Sequence, residues 1–268
     1  MTTLAVAARA VLLTGEARAK AHASRAMAAA WGTGAVKWTF DIAMPDTPAR
    51  PARPELMPPN KMHKRGKAGS ERSRIALLHA VAHIELNAID LAWDMVGRFG
   101  AGFPRAFADD WVRVADDEAR HFLMVADRLE ELGACYGDLP AHDGLWQAAA
   151  ATAHDAMARL AVVPQVLEAR GLDVTPAMAL RIGAAGDLRS AEILNQIYVD
   201  EIGHVRTGNI WFRSACDSNG SPPAATFRTL VRAHFRGELK PPFNDLARES
   251  AGLSQDFYRD LPAASPVA

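Results

Sequence analysis

The sequence predicts an all-α protein. Alanine, leucine and charged residues recur at helical spacing through most of the chain, and alternating runs of β-branched residues are nearly absent. Four long helical patterns, at residues 71–98, 105–132, 145–169 and 185–214, are separated by glycine- and proline-containing turns. These patterns predict a four-helix bundle with additional helices at both ends.

The N-terminal part divides into a helical and an extended stretch. Residues 3–30 indicate one or two amphipathic helices, with Leu4, Ala8, Val11 and Leu12 on one side. Residues 32–69 contain six prolines and therefore predict an extended connection rather than a continuous helix.

Glycine, proline and polar turn residues predict the remaining connections and the C-terminal elements. The predicted breaks are residues 99–104, 137–140, 171–176 and 217–223, followed by a helix at about 224–236 and an irregular tail at 240–244. We therefore divide the chain into an N-terminal helical segment and linker (1–70), a four-helix bundle (71–215) and a C-terminal helix and tail packing on the bundle (216–268).

Length, composition and charge indicate which broad classes of protein this sequence does not fit. The 268 residues suffice for a large core, and no stretch of about 18 residues runs free of polar side chains, so we expect no membrane span. The N-terminus lacks the pattern of a secretory signal. Cys135 and Cys216, the two cysteines, have no thiolate-metal spacing and suit a reducing cytoplasm. A formal charge of −1 predicts no wholesale binding to nucleic acid.

A repeated acidic and histidine pattern is the main functional signal. Glu85 is followed 33 residues later by Glu118-x-x-His121, and Glu168 is followed 33 residues later by Glu201-x-x-His204. Single Glu followed by Glu-x-x-His, twice over, is a ligand set by which four-helix bundles hold two iron or manganese ions. One Glu-x-x-His match would carry little weight in a chain with nine histidines. Two matches at one interval, both preceded by Asp, predict a dimetal site.

The surroundings of these residues favour metal binding. Glu85 lies within an apolar stripe of its helix, and Glu118 with His121 and Glu201 with His204 interrupt similar stripes. A carboxylate in such a position is costly unless it is paired or bound to a cation. Oxygen and imidazole ligands without thiolate favour iron or manganese, and they do not distinguish Fe/Fe from Mn/Fe.

Glu168 has two possible interpretations, and the two aspartates beside the motifs have one predicted role each. Glu168 follows Pro164 near a predicted helix end, so either a proline kink aims it inward or it is a solvated helix end. Asp117 and Asp200 precede the motif glutamates, and we predict that Asp117 serves His204 and Asp200 serves His121 as carboxylate partners.

Other polar residues have simpler interpretations. His79 and His83 are better explained as ordinary hydrogen-bonded histidines than as ligands, and His142 lies either in an entry loop or in a helix-capping loop. The basic stretch 61–74 is either a solvated linker face or a phosphate contact.

Longer runs of the sequence resemble a known family. The runs are Leu77–Leu86, Asp117–Phe122, Val166–Pro176 and Asp200–His204. They resemble an uncharacterised bacterial ferritin-like family, a domain of unknown function, from about residue 50 to the 240–244 tail. Asp117–His121 is also similar to the iron motif of bacterial diiron monooxygenases, from which Gly203 departs because those proteins have Arg there. The ligand order is similar, more distantly, to that of the diiron tRNA hydroxylase.

Our leading hypothesis from the ligand set is an O₂-dependent diiron oxidase or hydroxylase, and the cysteine usage predicts a cytoplasmic location. Glu85, Glu118, Glu168 and Glu201 would supply charge, with His121 and His204 as imidazole ligands. The expected partners are O₂, an organic small-molecule or RNA substrate and an external electron donor, and a homodimer is compatible with the sequence. The alternatives are iron handling as a ferroxidase or storage protein, an RNA-modifying enzyme, and a metal-free helical adaptor.

Overall fold

The protein is all-helical, as its sequence predicts. The structure, a computed structural model, describes residues 2–62 and 68–261. Within these ranges it contains no strand, only two isolated bridge pairings, Thr3 with Lys37 and Leu56 with Ala141.

Two short helices form the N-terminal part. Helix α1 (Leu4–Leu12) begins after Thr3, whose hydroxyl accepts the backbone N–H of Val6. Helix α2 (Ala17–Gly32) begins after Glu16, whose carboxylate accepts two backbone N–H groups. The described part of the following stretch is extended apart from one 3₁₀ turn, Pro59–Lys61, as the prolines predict.

The first two predicted bundle helices form nearly as expected. Helix α3 (Glu71–Phe99) begins with a capping box in which Ser70 and Ser73 exchange side-chain hydrogen bonds with the backbone. Helix α4 (Arg105–Glu131) begins after Pro104. Among the described residues, the segment Glu71–Gly102 is long and apolar enough to cross a membrane by composition, but 72% of its most apolar window is buried within the protein. That burial is typical of a core helix, and the sequence-based expectation of no membrane span stays a prediction.

The third predicted helix is interrupted and longer than expected. Helix α5 (Gly144–Ala151) ends before Asp155, which caps α6 (Ala156–Val162). A π-helical segment, Val163–Glu168, then leads directly into α7 (Ala169–Ala184). The predicted connection at 171–176 is therefore wrong, since α7 passes through it.

A long-range contact explains why α7 tolerates Pro176. A proline in a helix leaves the carbonyl four residues earlier without its usual N–H donor. Here that carbonyl belongs to Leu172, and the side-chain amide of Asn244 donates to it at 3.1 Å. Leu172, Ala179 and Ile182 are all buried, so the apolar face of α7 remains continuous across the proline.

Four helices complete the part of the chain described up to residue 261. They are α8 (Leu188–Ser218), α9 (Pro223–His234), α10 (Asp245–Ser250) and α11 (Gln255–Tyr258). The first two correspond to the patterns predicted at 185–214 and 224–236.

The chain divides into two compact units: residues 1–146 with 180–193, and residues 147–179 with 194–268. In the first unit, Trp93 of α3 donates to the hydroxyl of Ser24, which itself donates to the Ala115 carbonyl of α4. This chain of bonds joins α2 to both long helices. In the second unit, Phe212, Phe227 and Phe257 form an aromatic cluster between α8, α9 and α11. The predicted domain boundaries at 70 and 215 stay predictions.

Candidate metal centre

Helices α3 and α4 bring three of the predicted ligands together in the first unit. The Nδ1 atom of His121 lies 3.2 Å from Glu85 Oε2 and 3.5 Å from Glu118 Oε2. One ligand atom from each of the three residues lies within 4.8 Å of the others. On α4 the spacing of three residues places Glu118 and His121 one turn apart on the same face.

Burial makes this cluster chemically distinctive. Glu85 is 3% exposed, and Glu118 and His121 are both 0% exposed. Removing two carboxylates from water is strongly unfavourable unless a cation neutralises them. The oxygen and imidazole donors, with no thiolate, suit a hard or borderline divalent ion. This buried cluster of Glu and His residues could therefore hold a metal ion, and its donor chemistry fits iron or manganese.

The second unit contains the other Glu-x-x-His pair. On α8, His204 Nδ1 lies 3.8 Å from Glu201 Oε1. Both side chains are buried, at 8% and 3% exposure for Glu201 and His204 respectively. The two pairs therefore have the same helical geometry and similar burial in their own units.

Glu168 ends the π-helical segment and is half-buried. The sequence predicts a kink at Pro164, and the structure has a π-helix beginning at the preceding residue. A π-segment accommodates an extra residue within a helix and so changes the direction of the side chains around it. The direction of the Glu168 side chain therefore depends on the contacts that fix the π-segment in place.

Three contacts hold the π-segment within the second unit. Gln165 donates to the Leu160 carbonyl at 3.1 Å and accepts from Asn209 of α8 at 3.1 Å. Gly208, beside Asn209, lies directly against Pro164. Residues four and five positions beyond His204 thus position the segment that carries Glu168.

The two predicted carboxylate partners have local hydrogen bonds. Asp117 accepts from Arg120 at 2.7 Å, and Asp200 accepts from Gln196 at 2.9 Å. Both aspartates are half-buried. Their predicted roles toward His204 and His121 stay predictions.

A second buried polar face of α3 was not predicted. The sequence separates polar residues of α3 from its apolar stripe, and four of them are at most 6% exposed: His83, Asn87, Asp90 and Asp94. Two residues of the N-terminal part contact this face: Lys20 Nζ lies 2.5 Å from Asp90 Oδ1, and Arg50 Nη1 lies 2.9 Å from Asp90 Oδ2. Burial raises the pKa of the Asp90 carboxyl and lowers the pKa of the Lys20 ammonium, while their mutual attraction opposes both shifts.

The core histidines of α3 are hydrogen-bonded, as predicted. His79 Nε2 accepts the backbone N–H of Gly137 at 2.9 Å. His83 Nε2 lies 3.1 Å from the His142 carbonyl and His83 Nδ1 lies 2.9 Å from the Tyr136 hydroxyl. Asn87 Nδ2 also lies 3.2 Å from His83 Nε2, so this ring nitrogen has both an acceptor and a donor beside it. Burial lowers the pKa of His83 to about 4, which keeps this imidazole neutral.

His142 lies in the loop that immediately precedes α5. His142 Nδ1 accepts the backbone N–H of Gly144, the first residue of α5, at 3.2 Å, which fits the capping-loop interpretation. Within the basic stretch, residues 63–67 lie outside the described residues, while Lys61 and Arg72 are exposed. The interpretation of that stretch as a phosphate contact stays a prediction.

Fold and site together define an all-helical protein with a buried carboxylate–histidine cluster suited to a metal ion. The chain belongs to the family described as "Protein of unknown function (DUF455)", whose model matches residues 13–259. It is 43% identical over 213 residues to an uncharacterised protein of Haemophilus influenzae, with 77% of this chain and 74% of that protein covered. No solved structure matches the chain significantly.

Proposed function

We propose that the protein is a ferritin-like diiron oxidoreductase that uses O₂ to hydroxylate or oxidise an organic substrate. The buried cluster of Glu85, Glu118 and His121 is the observation that carries the proposal. Glu168, Glu201 and His204 would supply the rest of the ligands. Their 33-residue interval repeats that of the first set, and the repeated ligand pattern is the one that four-helix bundles use for two ions.

The proposed ligands balance the charge of two divalent ions. Four carboxylates carry four negative charges, and two M²⁺ ions carry four positive ones, so the loaded centre would be neutral in an apolar interior. Trp111, Val114, Val125 and Leu129 of α4, all nearly fully buried, surround Glu118 and His121 along their helix. Such a shell excludes water and favours oxidation of a bound substrate over unproductive reduction of O₂.

The proposed reaction has a defined balance. Hydroxylation consumes R–H, O₂, two electrons and two protons, and it yields R–OH and H₂O. When bound, the two metal ions would supply the redox chemistry that activates O₂. The sequence contains no flavin or nicotinamide fingerprint, so we propose that a separate reduced electron carrier delivers the two electrons.

Anaerobic reconstitution tests the proposal. The metal-free protein is loaded with Fe(II), exposed to O₂ and followed by absorption spectroscopy. We expect the absorption of a diferric centre in the wild-type protein and its loss in Glu118→Gln, which keeps the side-chain shape but removes the charge. Glu192→Gln, at an exposed position on α8, is the matched control and should behave as wild type. A wild-type protein that binds Fe(II) yet stays spectroscopically unchanged in O₂ would exclude this function.

An arginine-lined cleft favours a second candidate function, modification of RNA. In the first unit an open cleft of 360 Å³ is lined by Arg74, Arg128 and Arg189, with Asp187 among them. Arg128 and Arg189 are ion-paired with Asp187 and Glu131 respectively, so a phosphate contact here would replace a carboxylate. We propose Arg74→Gln with Arg189→Gln as the test, measuring RNA retention against salt concentration. The slope of log K against log salt should fall by about 0.7 per lost contact, with Arg113→Gln, an exposed residue of α4, as control.

Measuring the particle mass distinguishes a third candidate, iron handling without an organic substrate, from the oxidoreductase and the RNA-modifying enzyme. An iron-storage shell requires many subunits, whereas the proposed oxidoreductase does not. A high-mass particle with a mineral core would therefore favour storage over either enzyme.

A further inference from the structure

A small apolar cavity lies in the second unit beside the π-helical segment. Its volume is about 110 Å³, which approaches the roughly 150 Å³ of an engineered apolar cavity that holds benzene. Five apolar side chains line it, two from the π-segment and three from the stretch after α9: Val166, Leu167, Phe235, Leu239 and Phe243. Its size and lining fit one ring or a short hydrocarbon chain.

One side of this cavity is ionic. The side chain of Asp173 is fully buried and accepts two hydrogen bonds from Arg248, from Nε at 2.9 Å and from Nη2 at 2.7 Å. Arg170 adds a longer contact to the same carboxylate, at 3.4 Å, and is 41% exposed. Two guanidinium groups therefore share one carboxylate, and one positive charge is left over at this wall.

The other charged residues that line the cavity do not neutralise this extra positive charge. Glu238 and Lys240 also line the cavity and offset each other. Among the described residues, Arg248 Nη1 is buried without a hydrogen-bond acceptor, although the guanidinium stacks on Phe243 and Tyr258. A buried N–H group that lacks an acceptor is unfavourable, so both the net charge and the missing acceptor favour an anionic oxygen at this wall.

We propose that this cavity binds a small monocarboxylate with an apolar ring or short chain. The carboxylate would neutralise the excess charge of Arg170 and Arg248, and the hydrocarbon part would contact Leu167, Leu239 and Phe243. Binding does not depend on a metal. Val166 and Leu167 immediately precede Glu168, so we further assign this carboxylate as the organic substrate, a step that rests on the proposed function.

Calorimetric titration of chelator-treated, metal-free protein tests the binding itself. The probes are benzoate, benzyl alcohol and benzylamine, which share a ring but differ in charge. We expect benzoate to bind at least about tenfold more tightly than benzyl alcohol, which corresponds to one charge-assisted hydrogen bond of about 1.5 kcal/mol. Benzylamine should not bind. Equal affinity for benzoate and benzyl alcohol, or no binding of benzoate, would overturn the proposal.

Two variants and one control locate the site without breaking the buried pair of Arg248 and Asp173. Leu239→Trp should fill the cavity and abolish benzoate binding, while Leu246→Trp, at an 84% exposed position of α10, should leave it unchanged. Arg170→Gln should remove the preference for benzoate over benzyl alcohol while keeping the affinity for benzyl alcohol. Benzoate binding that survives Leu239→Trp would place the ligand elsewhere and refute this site.

A final comparison separates this inference from the proposed function. With iron-loaded protein and a chemical reductant, benzoate should increase O₂ consumption in wild type and have no effect in Leu239→Trp. If benzoate binds the metal-free protein but leaves O₂ consumption unchanged, the binding site stands and its assignment to the substrate is wrong. If iron does not bind at all, the proposed function fails while the calorimetric result still decides the cavity.

Discussion

Gly208 of α8 lies against the ring of Pro164, so closely that a Cβ at position 208 would be 2.4 Å from both Cβ and Cγ of the proline. No side chain fits at that distance. The contact fixes α8 against the start of the π-helical segment that ends at Glu168. A glycine that breaks no helix and forms no turn therefore has a packing role, and it connects the helix of Glu201 and His204 to the position of Glu168.

We expect Gly208→Ala to displace the π-segment. The added methyl must push Pro164 aside, and overpacking of this kind destabilises by about 1–3 kcal/mol. If Glu168 is a ligand, iron bound per chain should also fall. Urea unfolding of the metal-free protein and elemental analysis of the reconstituted protein measure the two effects.

Gly171→Ala is the matched control for that substitution. Gly171 is also inside a helix, and nothing lies within 4 Å of a Cβ built there. Replacing a helical glycine by alanine at an open position should stabilise by up to about 1 kcal/mol. Equal stability changes in the two variants would contradict the packing role of Gly208.

Asn244→Ala should destabilise α7 at the point where Pro176 interrupts its backbone hydrogen bonds. The side-chain amide of Asn244 donates to the Leu172 carbonyl, which Pro176 leaves without a helical donor. Losing that donor leaves a buried carbonyl unsatisfied, at about 1–3 kcal/mol. The expected loss is measured by urea unfolding.

A double variant shows whether the Leu172 carbonyl, left without a helical donor by Pro176, is the reason. In Pro176→Ala the helix can supply its own N–H to Leu172, so Asn244→Ala should be less damaging in that background. Asn244 also accepts from the Ala247 backbone, and that part of the loss should persist. Identical losses in both backgrounds would show that the amide does not substitute for the missing helical donor.

Lys20→Met should strongly destabilise the first unit. Lys20 and Asp90 are 1% and 0% exposed, and removing one partner of a buried ion pair typically costs about 3–5 kcal/mol. Arg50 also contacts Asp90, so we expect the lower end of that range. The free energy of unfolding in urea is the measurement.

The Asp90→Asn variant completes a cycle with Lys20→Met. If the charges interact, the double variant should lose less stability than the sum of the single losses. Strict additivity would mean that the short contact between the two side chains contributes no coupling energy.

Local signals explain why α3 and α4 could be predicted from the sequence. Ser70 and Pro104 immediately precede their first turns, and apolar residues recur at helical spacing between the turn residues. Glu85, Glu118 and His121 could also be selected, because a charged residue within an apolar stripe and a repeated interval are both visible in the sequence.

The features that could not be predicted depend on residues far apart in the chain. The π-segment is held by Gly208 and Asn209, more than 40 residues after Pro164. Proline at 176 predicts a break because its compensating donor, Asn244, lies 68 residues away. Likewise, a polar face on α3 predicts exposure unless the pairing of Lys20 with Asp90 is known.

The metal content of the natively purified protein tests the dimetal centre most directly. We expect two ions of iron, or one of iron and one of manganese, per chain of wild type. Glu85→Ala, Glu118→Ala and Glu201→Ala should each reduce this content, while Glu192→Ala on α8 should not. Native protein without bound metal that also takes up none from Fe(II) or Mn(II), or Glu85→Ala and Glu118→Ala variants with the full wild-type content, would contradict the proposed centre.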